Sequence, residues 1–209
     1  MNRNLNGMYL NELEEVIVAV GEKKFRAKQL FHHFHVEQGR DIDQIQVLPK
    51  ALREKLNDYP VSEATIAHML QSKDGSKKYL LALDDGNIIE TVFMSYEDRN
   101  TLCVSSQVGC LMGCKFCAST KATFVRDLQA AEILNQVYEV EKDTGARIDN
   151  IVLMGIGEPL DNMEEVLRFI RLVTDPKGKN LSMRSITLST SGLVPNIYRL
   201  ADEGLSINL

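Results

Sequence analysis

The sequence contains no long apolar segment. No run of about 18 or more apolar residues occurs among the 209 residues, so no transmembrane helix and no membrane partner are expected. The first ten residues are polar and lack the apolar core of a signal peptide. These two features predict a cytoplasmic protein.

Cysteine is also scarce. Four cysteines are too few to form the disulfide framework of a small secreted protein. All four lie between Cys103 and Cys117. Such clustering in a reducing compartment indicates metal or redox chemistry rather than structural cross-linking.

Basic residues are not in excess. The chain has 24 Lys and Arg against 29 Asp and Glu, for a net charge of −5, so charge alone gives no argument for nucleic-acid binding. A local basic group could still contact phosphate, or it could be a solvated helix face. Its members are Lys23, Lys24, Arg26 and Lys28.

Residues 1–60 predict a small helical accessory domain, and residues 61–100 a linking β-hairpin. Apolar positions recur at helical spacing in three short segments, and two strand-like runs flank a turn at 84–87. Three nearby histidines have the wrong helical spacing for a shared metal ion. These histidines are His32, His33 and His35. The predicted elements are helices at 10–20, 24–37 and 50–57 and strands at 78–83 and 88–94.

Strand and helix alternate from about residue 101 to residue 209. This rhythm indicates parallel βαβ units, so the predicted fold is α/β with a partial (β/α) barrel. In such barrels the chemistry lies at the carboxyl ends of the strands. The predicted elements are strands at 101–107, 150–154, 185–189 and 205–209 and helices at 127–142, 163–173 and 195–202.

The strongest motif is Cys110-Leu-Met-Gly-Cys114-Lys-Phe-Cys117, immediately after the first of these strands. Three thiolates can hold a [4Fe–4S] cluster and leave one iron open. The alternative is a zinc site, which normally has four closed ligands. The fourth cysteine, Cys103, lies on the preceding strand, and no histidine is near. With Phe116 before Cys117, the motif resembles the radical S-adenosylmethionine (SAM) pattern, in which the open iron binds SAM.

Two further motifs follow the next two strands. In Met154-Gly-Ile-Gly-Glu158-Pro, glycines allow close backbone approach and the carboxylate can accept a hydrogen bond from a ligand ammonium. In Leu188-Ser-Thr-Ser-Gly192, hydroxyls can bond to a ribose or carboxylate. Taken alone, the first could be a tight loop and the second a helix N-cap.

The motifs together resemble the RlmN/Cfr family of radical SAM adenine methyltransferases, which act on 23S ribosomal RNA. The resemblance extends in order over essentially the whole chain. It rests on Cys103-Val-Ser-Ser-Gln-Val-Gly-Cys110, Ala118-Ser-Thr120, Ile89-Glu-Thr-Val92, residues 155–162, residues 188–195 and Phe25-Arg-Ala-Lys-Gln-Leu30.

The resemblance implies that a methyl group reaches adenine C2 through a methyl-cysteine intermediate. It assigns Glu90 as proton acceptor and Cys103 as the thiol that closes a transient disulfide. The implied cofactors are a [4Fe–4S] cluster and SAM. The cluster ligands would be Cys110, Cys114 and Cys117, and the SAM contacts Gly157, Glu158 and Ser189.

The resemblance also implies partners and leaves alternatives open. The expected partners are 23S rRNA, tRNA as a second substrate, and an external flavodoxin-like electron donor, with the enzyme a monomer. Ile156 replaces a usual Met, and Ala122 a common Gly. The chain stops at Leu209, before a Ser-Leu-His segment and the methyl-bearing cysteine, so these 209 residues alone are expected to be inactive. The alternatives are C8 methylation and a non-catalytic remnant that binds cluster, SAM or RNA.

Overall fold

The structure, a computed structural model, describes residues 3–121 and 123–209. Ala122, which departs from the family pattern, lies outside the described residues. Within the described part, no helix is both long enough and apolar enough to span a bilayer.

The first 60 residues form three short α-helices, as predicted. They are α1 (Leu10–Ala19), α2 (Phe25–His35) and α3 (Lys50–Leu56), with 3₁₀ turns at Leu5–Gly7 and Ile42–Gln44. The Glu12 carboxylate accepts a hydrogen bond from the Tyr9 amide at 2.7 Å, which caps the start of α1. Leu13 and Ile17 form its buried face.

Six strands form one mixed sheet. They are β1 (Ala64–Gln71), β2 (Lys77–Leu83), β3 (Ile88–Ser95), β4 (Asn100–Cys103), β7 (Asn150–Leu153) and β8 (Ile186–Leu188). Their order in the sheet is β1-β2-β3-β4-β7-β8. The predicted hairpin is formed by β2 and β3. The sequence did not predict β1, which is mostly exposed and has no alternating burial pattern.

Strands β4, β7 and β8 run parallel, joined by crossover helices, as the alternating pattern predicts. The crossover helices are α4 (Ala130–Thr144) and α5 (Met163–Val173), and a third helix, α6 (Val194–Asp202), follows β8. The predicted strand 101–107 is shorter, because the chain leaves the sheet after Cys103 and pairs as β5 (Gln107–Val108) with β6 (Arg126–Asp127). Of the predicted strand 205–209, the structure shows only one parallel bridge within the described residues, between Asn208 and Thr187.

The two faces of the sheet differ. On β3, Ile89, Thr91 and Phe93 are buried on the face that carries the helices, whereas Glu90 and Val92 point to the other face and are only partly buried. The same alternation holds on β2 and β7. The partly open face is therefore available for side chains that act on a ligand.

Polar contacts fix the helical region onto α4. Asn6 and Asn135 both donate to the Ser62 carbonyl, at 2.9 and 3.0 Å. His35 lies in the core with its Nδ1 3.1 Å from the Tyr138 hydroxyl. The histidine group of α2 thus includes a core residue. The division of the chain into three domains stays a prediction, and β2 and β3 belong to the same sheet as β4.

Candidate active site

Four chain segments with candidate residues meet at one edge of the sheet. Because β4, β7 and β8 are parallel, the segments that follow Cys103, Leu153 and Leu188 leave the sheet on the same side. Strand β3 is antiparallel to β4, so its beginning, with Glu90, lies at this same edge. The topology therefore brings the predicted proton acceptor to the three motif-bearing loops.

Cys103 belongs to a row of side chains that crosses the partly open face. Its register partners are Val92 on β3 and Val152 on β7. Glu90 is two residues from Val92 and so shares this face, diagonally from Cys103. The Glu90 carboxylate accepts an ion-pair contact from Lys78 Nζ at 2.9 Å, and both side chains are about two-fifths exposed.

The Cys103 side chain is partly buried. Burial raises the pKa of its side chain, and a hydrogen bond from the Met154 backbone opposes that rise only in part. The Thr91 hydroxyl donates to the Cys103 carbonyl at 2.6 Å, which fixes the backbone of this residue. Cys103 forms no disulfide in the structure.

The segment that links Cys103 to the cysteine loop is a buried polar network. Gln136 holds both backbone groups of Ser105, accepting from its amide at 2.8 Å and donating to its carbonyl at 2.9 Å. Asn162 donates to the Ser106 carbonyl at 2.8 Å. The fully buried Gln107 side chain donates to Asp127 and Asp161. Sequence reasoning gave these residues no individual role, although Ser105, Ser106 and Gln107 lie in the stretch 103–110 that carries the family resemblance.

The glycine loop after β7 packs directly on this network. A Cβ at Gly155 would lie 2.7 Å from the Ser105 hydroxyl oxygen. A Cβ at Gly157 would lie 2.7 Å from the backbone nitrogen of Gln107. Gly157 also has φ of +111°, a conformation that strongly favours glycine. Close packing against the segment 104–107 therefore accounts for both glycines, as the tight-loop alternative allows.

Glu158 joins the glycine loop to the loop after β8. One carboxylate oxygen accepts from the Leu160 amide at 3.0 Å and the other from the Ser191 amide at 2.6 Å. Its side chain is buried, so in this structure the carboxylate shapes the loops. Ser189 is exposed at the end of β8. The N-cap alternative for the serine motif is wrong, because Leu193 occupies the N-cap of α6.

The three motif cysteines lie on one loop at this edge. Cys110 and Cys114 are partly exposed and Cys117 is exposed. The Cys117 amide donates to the Cys114 carbonyl at 3.0 Å, and Gly113 has φ of +67°. Across residues 3–121 and 123–209, no three His, Cys, Asp or Glu side chains are arranged to hold a metal ion.

The donor set nevertheless fits an iron–sulfur cluster. Thiolates are the usual protein ligands of such clusters, and three of them are presented within eight residues on an accessible loop.

The chain matches two family models. The radical SAM superfamily model matches residues 104–209, and the model for the ribosomal RNA large subunit methyltransferase N-terminal domain matches residues 3–61. A mixed sheet whose parallel strands lead into a three-cysteine loop and a glycine loop defines the radical SAM class of protein.

Relatives and a solved structure agree with this class. A probable dual-specificity RNA methyltransferase RlmN of Finegoldia magna is 51% identical over 98% of this chain, and one of Clostridioides difficile is 48% identical over 95%. The crystal structure of a radical SAM methyltransferase from Sphaerobacter thermophilus is 42% identical over 98% of this chain, with a TM-score of 0.90. The chain therefore belongs to the radical SAM superfamily, and its first 61 residues match the domain model named for ribosomal RNA large subunit methyltransferases.

The match covers only part of each relative. The chain spans 59% of the Finegoldia protein, 58% of the Clostridioides protein and 61% of the Sphaerobacter chain.

Proposed function

We propose that this chain forms the radical-generating part of an RNA methyltransferase that adds a methyl group to C2 of an adenine in 23S rRNA, with tRNA as a second substrate. The observation that carries the proposal is the meeting of Glu90, Cys103 and the glycine loop at one sheet edge, directly before the cysteine loop. An external flavodoxin-like protein would supply electrons.

Cys110, Cys114 and Cys117 would hold the cluster, and Gly157, Glu158 and Ser189 would form the SAM contacts. When bound, the cluster supplies the electron that cleaves SAM to methionine and a 5′-deoxyadenosyl radical. The chain's own contribution is placement. Buried backbone contacts hold the glycine loop against the strand that leads to the cysteines.

Cys103 and Glu90 would act at the end of the reaction. Adenine C2 is not nucleophilic, so the methyl carbon must arrive by a radical route on a second cysteine, which family members carry in their C-terminal part. Once the adduct has lost the C2 proton and one electron, which the cluster would take back, the Cys103 thiol attacks the sulfur of that cysteine. The S–S bond forms as the bond between sulfur and the methylene carbon breaks, and the thiol proton passes to that carbon and completes the methyl group. Glu90 takes the proton from C2, and Lys78 holds its carboxylate on the same face as Cys103.

The regiochemistry is tested by mass analysis of ribosomal RNA. We expect 2-methyladenosine in digests of 23S rRNA from a strain that lacks its own enzyme and expresses the full-length gene, including the segment with the methyl-bearing cysteine. Variants Glu90→Gln and Cys103→Ala should reduce that product to background. Methylation at C8 alone would contradict the proposal in favour of the family's other branch.

A further inference from the structure

Strands β3 and β4 separate where Glu90 lies. Their backbone pairing ends at Val92 and Cys103, although the same register, carried on, would place Ser105 opposite Glu90. Two side-chain hydroxyls span the opening instead. Thr91 donates to the Cys103 carbonyl, and Ser105 donates to the Glu90 carbonyl, each at 2.6 Å. The second of these contacts fixes the backbone of Glu90 itself.

The Ser105 hydroxyl has a further partner in the glycine loop. It accepts a hydrogen bond from the Ile156 amide at 2.9 Å. One oxygen atom thus bridges the backbone of Glu90 and the loop between Gly155 and Glu158. Both ends of the bridge are backbone groups, so its length does not depend on any flexible side chain other than that of Ser105.

The Ser105 hydroxyl has little freedom to leave this position. The residue is fully buried, and Gln136 holds both its amide and its carbonyl. Gly155 closes the remaining space, because any Cβ there would lie 2.7 Å from the hydroxyl. The serine is therefore fixed from its backbone outward.

We propose that Ser105 is a positioning residue that holds the proton acceptor Glu90 and the SAM-binding glycine loop at a fixed separation. This inference rests on the proposed function, since that function makes both ends of the bridge parts of one site. Without the hydroxyl, the Glu90 carbonyl and the Ile156 amide lose a shared buried partner, and the glycine loop gains freedom. A buried polar group left without a partner is costly, so the loop opens more often.

The neighbouring serine provides a matched control. Ser106 is 2% exposed, and its hydroxyl makes no hydrogen bond with the described residues. The change Ser106→Ala removes the same atom, one residue away, without breaking a bridge. Ser105→Thr is the complementary variant, because it retains a hydroxyl at the bridging position.

The experiment compares these variants in the 209-residue chain after anaerobic cluster reconstitution. Two quantities are measured: hydrogen exchange at the Ile156 amide and the dissociation constant for SAM. In Ser105→Ala we expect Ile156 exchange to accelerate about tenfold or more and SAM binding to weaken about tenfold, the effect of a lost buried hydrogen bond. Ser106→Ala should match the wild type in both, and Ser105→Thr should retain slow exchange at Ile156.

The wild type alone already tests the bridge. Its Ile156 amide should exchange as slowly as amides of β7, and fast exchange there would overturn the proposal even if Ser105→Ala does not fold. Equal SAM affinity and equal exchange in the two alanine variants would also overturn it. A wild-type chain that binds no SAM counts against the proposed function instead, and the exchange comparison then still decides whether Ser105 forms the bridge.

Discussion

The strand segment 103–108 and the cysteine loop 110–117 are adjacent in sequence and opposite in character. In the first, nearly every residue is buried, and the polar groups are held by Gln136, Asn162 and the glycine loop. In the second, the residues are partly or fully exposed, and Phe116 is 94% exposed. The segment before the cysteines is therefore held by buried contacts, whereas the cysteine loop is accessible to a cluster.

The largest expected effect falls on the cysteine loop. Alanine at Cys110, Cys114 or Cys117 should abolish the brown, oxygen-sensitive cluster, because three thiolates are the minimum that holds it while one iron stays open. Iron content and visible absorbance after anaerobic reconstitution measure this. The free energy of unfolding of the apo chain should change little, since these side chains are partly or fully exposed.

Cys103→Ala is the matched control for that experiment, because Cys103 lies in the segment 103–108 and not in the cysteine loop. It should retain the cluster. A cluster lost equally in Cys103→Ala, or iron that zinc displaces readily from the wild type, would contradict the division between the two segments.

The next effect tests the buried segment. Gln107→Leu should lower the free energy of unfolding by about 2–3 kcal/mol, because it leaves the buried Glu158 amide without its acceptor and removes the donor to two carboxylates. Urea denaturation of the apo chain measures the loss. Gln46→Leu, on an exposed loop residue, should stay within about 0.5 kcal/mol. Equal free energies of unfolding in the two variants would show that the buried hydrogen bonds of Gln107 do not hold the segment 103–108 in place.

A smaller effect is expected at the link between the glycine and serine loops. Glu158→Gln replaces a carboxylate oxygen by an NH₂ group facing a backbone amide, either that of Leu160 or that of Ser191. We expect a loss of about 1–2 kcal/mol in unfolding free energy and faster exchange of the Ser191 amide. Glu164→Gln, on an exposed side chain of α5, is the control and should leave both quantities unchanged.

The smallest effect is a pH dependence of stability caused by a buried histidine of α2, a contribution that the exposed cysteine loop does not make. Burial, with a lesser effect of the nearby Arg40 charge, lowers the pKa of His35 to about 3 from its usual 6.5. Between these values the unfolded chain binds a proton that the folded chain does not, so stability falls as pH falls. From pH 6 to pH 5 the loss from this group is about 1 kcal/mol.

Urea denaturation of the apo chain at both pH values measures that loss. His35→Gln should remove it, and His68→Gln, at an exposed position on β1, should keep it. A pH dependence that is the same in both variants would show that His35 is not the buried neutral histidine of the structure.

The sequence predicted the helices, the parallel strands and the three motif loops, because each has a local signal: apolar periodicity, turn residues or closely spaced cysteines. It did not predict β1, whose exposed residues show no alternation. It also missed the roles of Ser105, Gln107 and Gln136, because their hydrogen-bond partners are up to 54 residues away along the chain. For Glu158 the motif suggested a direct ligand contact, whereas the folded carboxylate already holds two backbone amides.

The most direct test of the central claim is electron paramagnetic resonance of the reduced, reconstituted chain with and without SAM. The account predicts a [4Fe–4S] signal that changes when SAM is added, because one iron is left without a cysteine ligand and SAM binds there. A signal that is identical with and without SAM, or a chain that takes up zinc in place of the cluster, would contradict it.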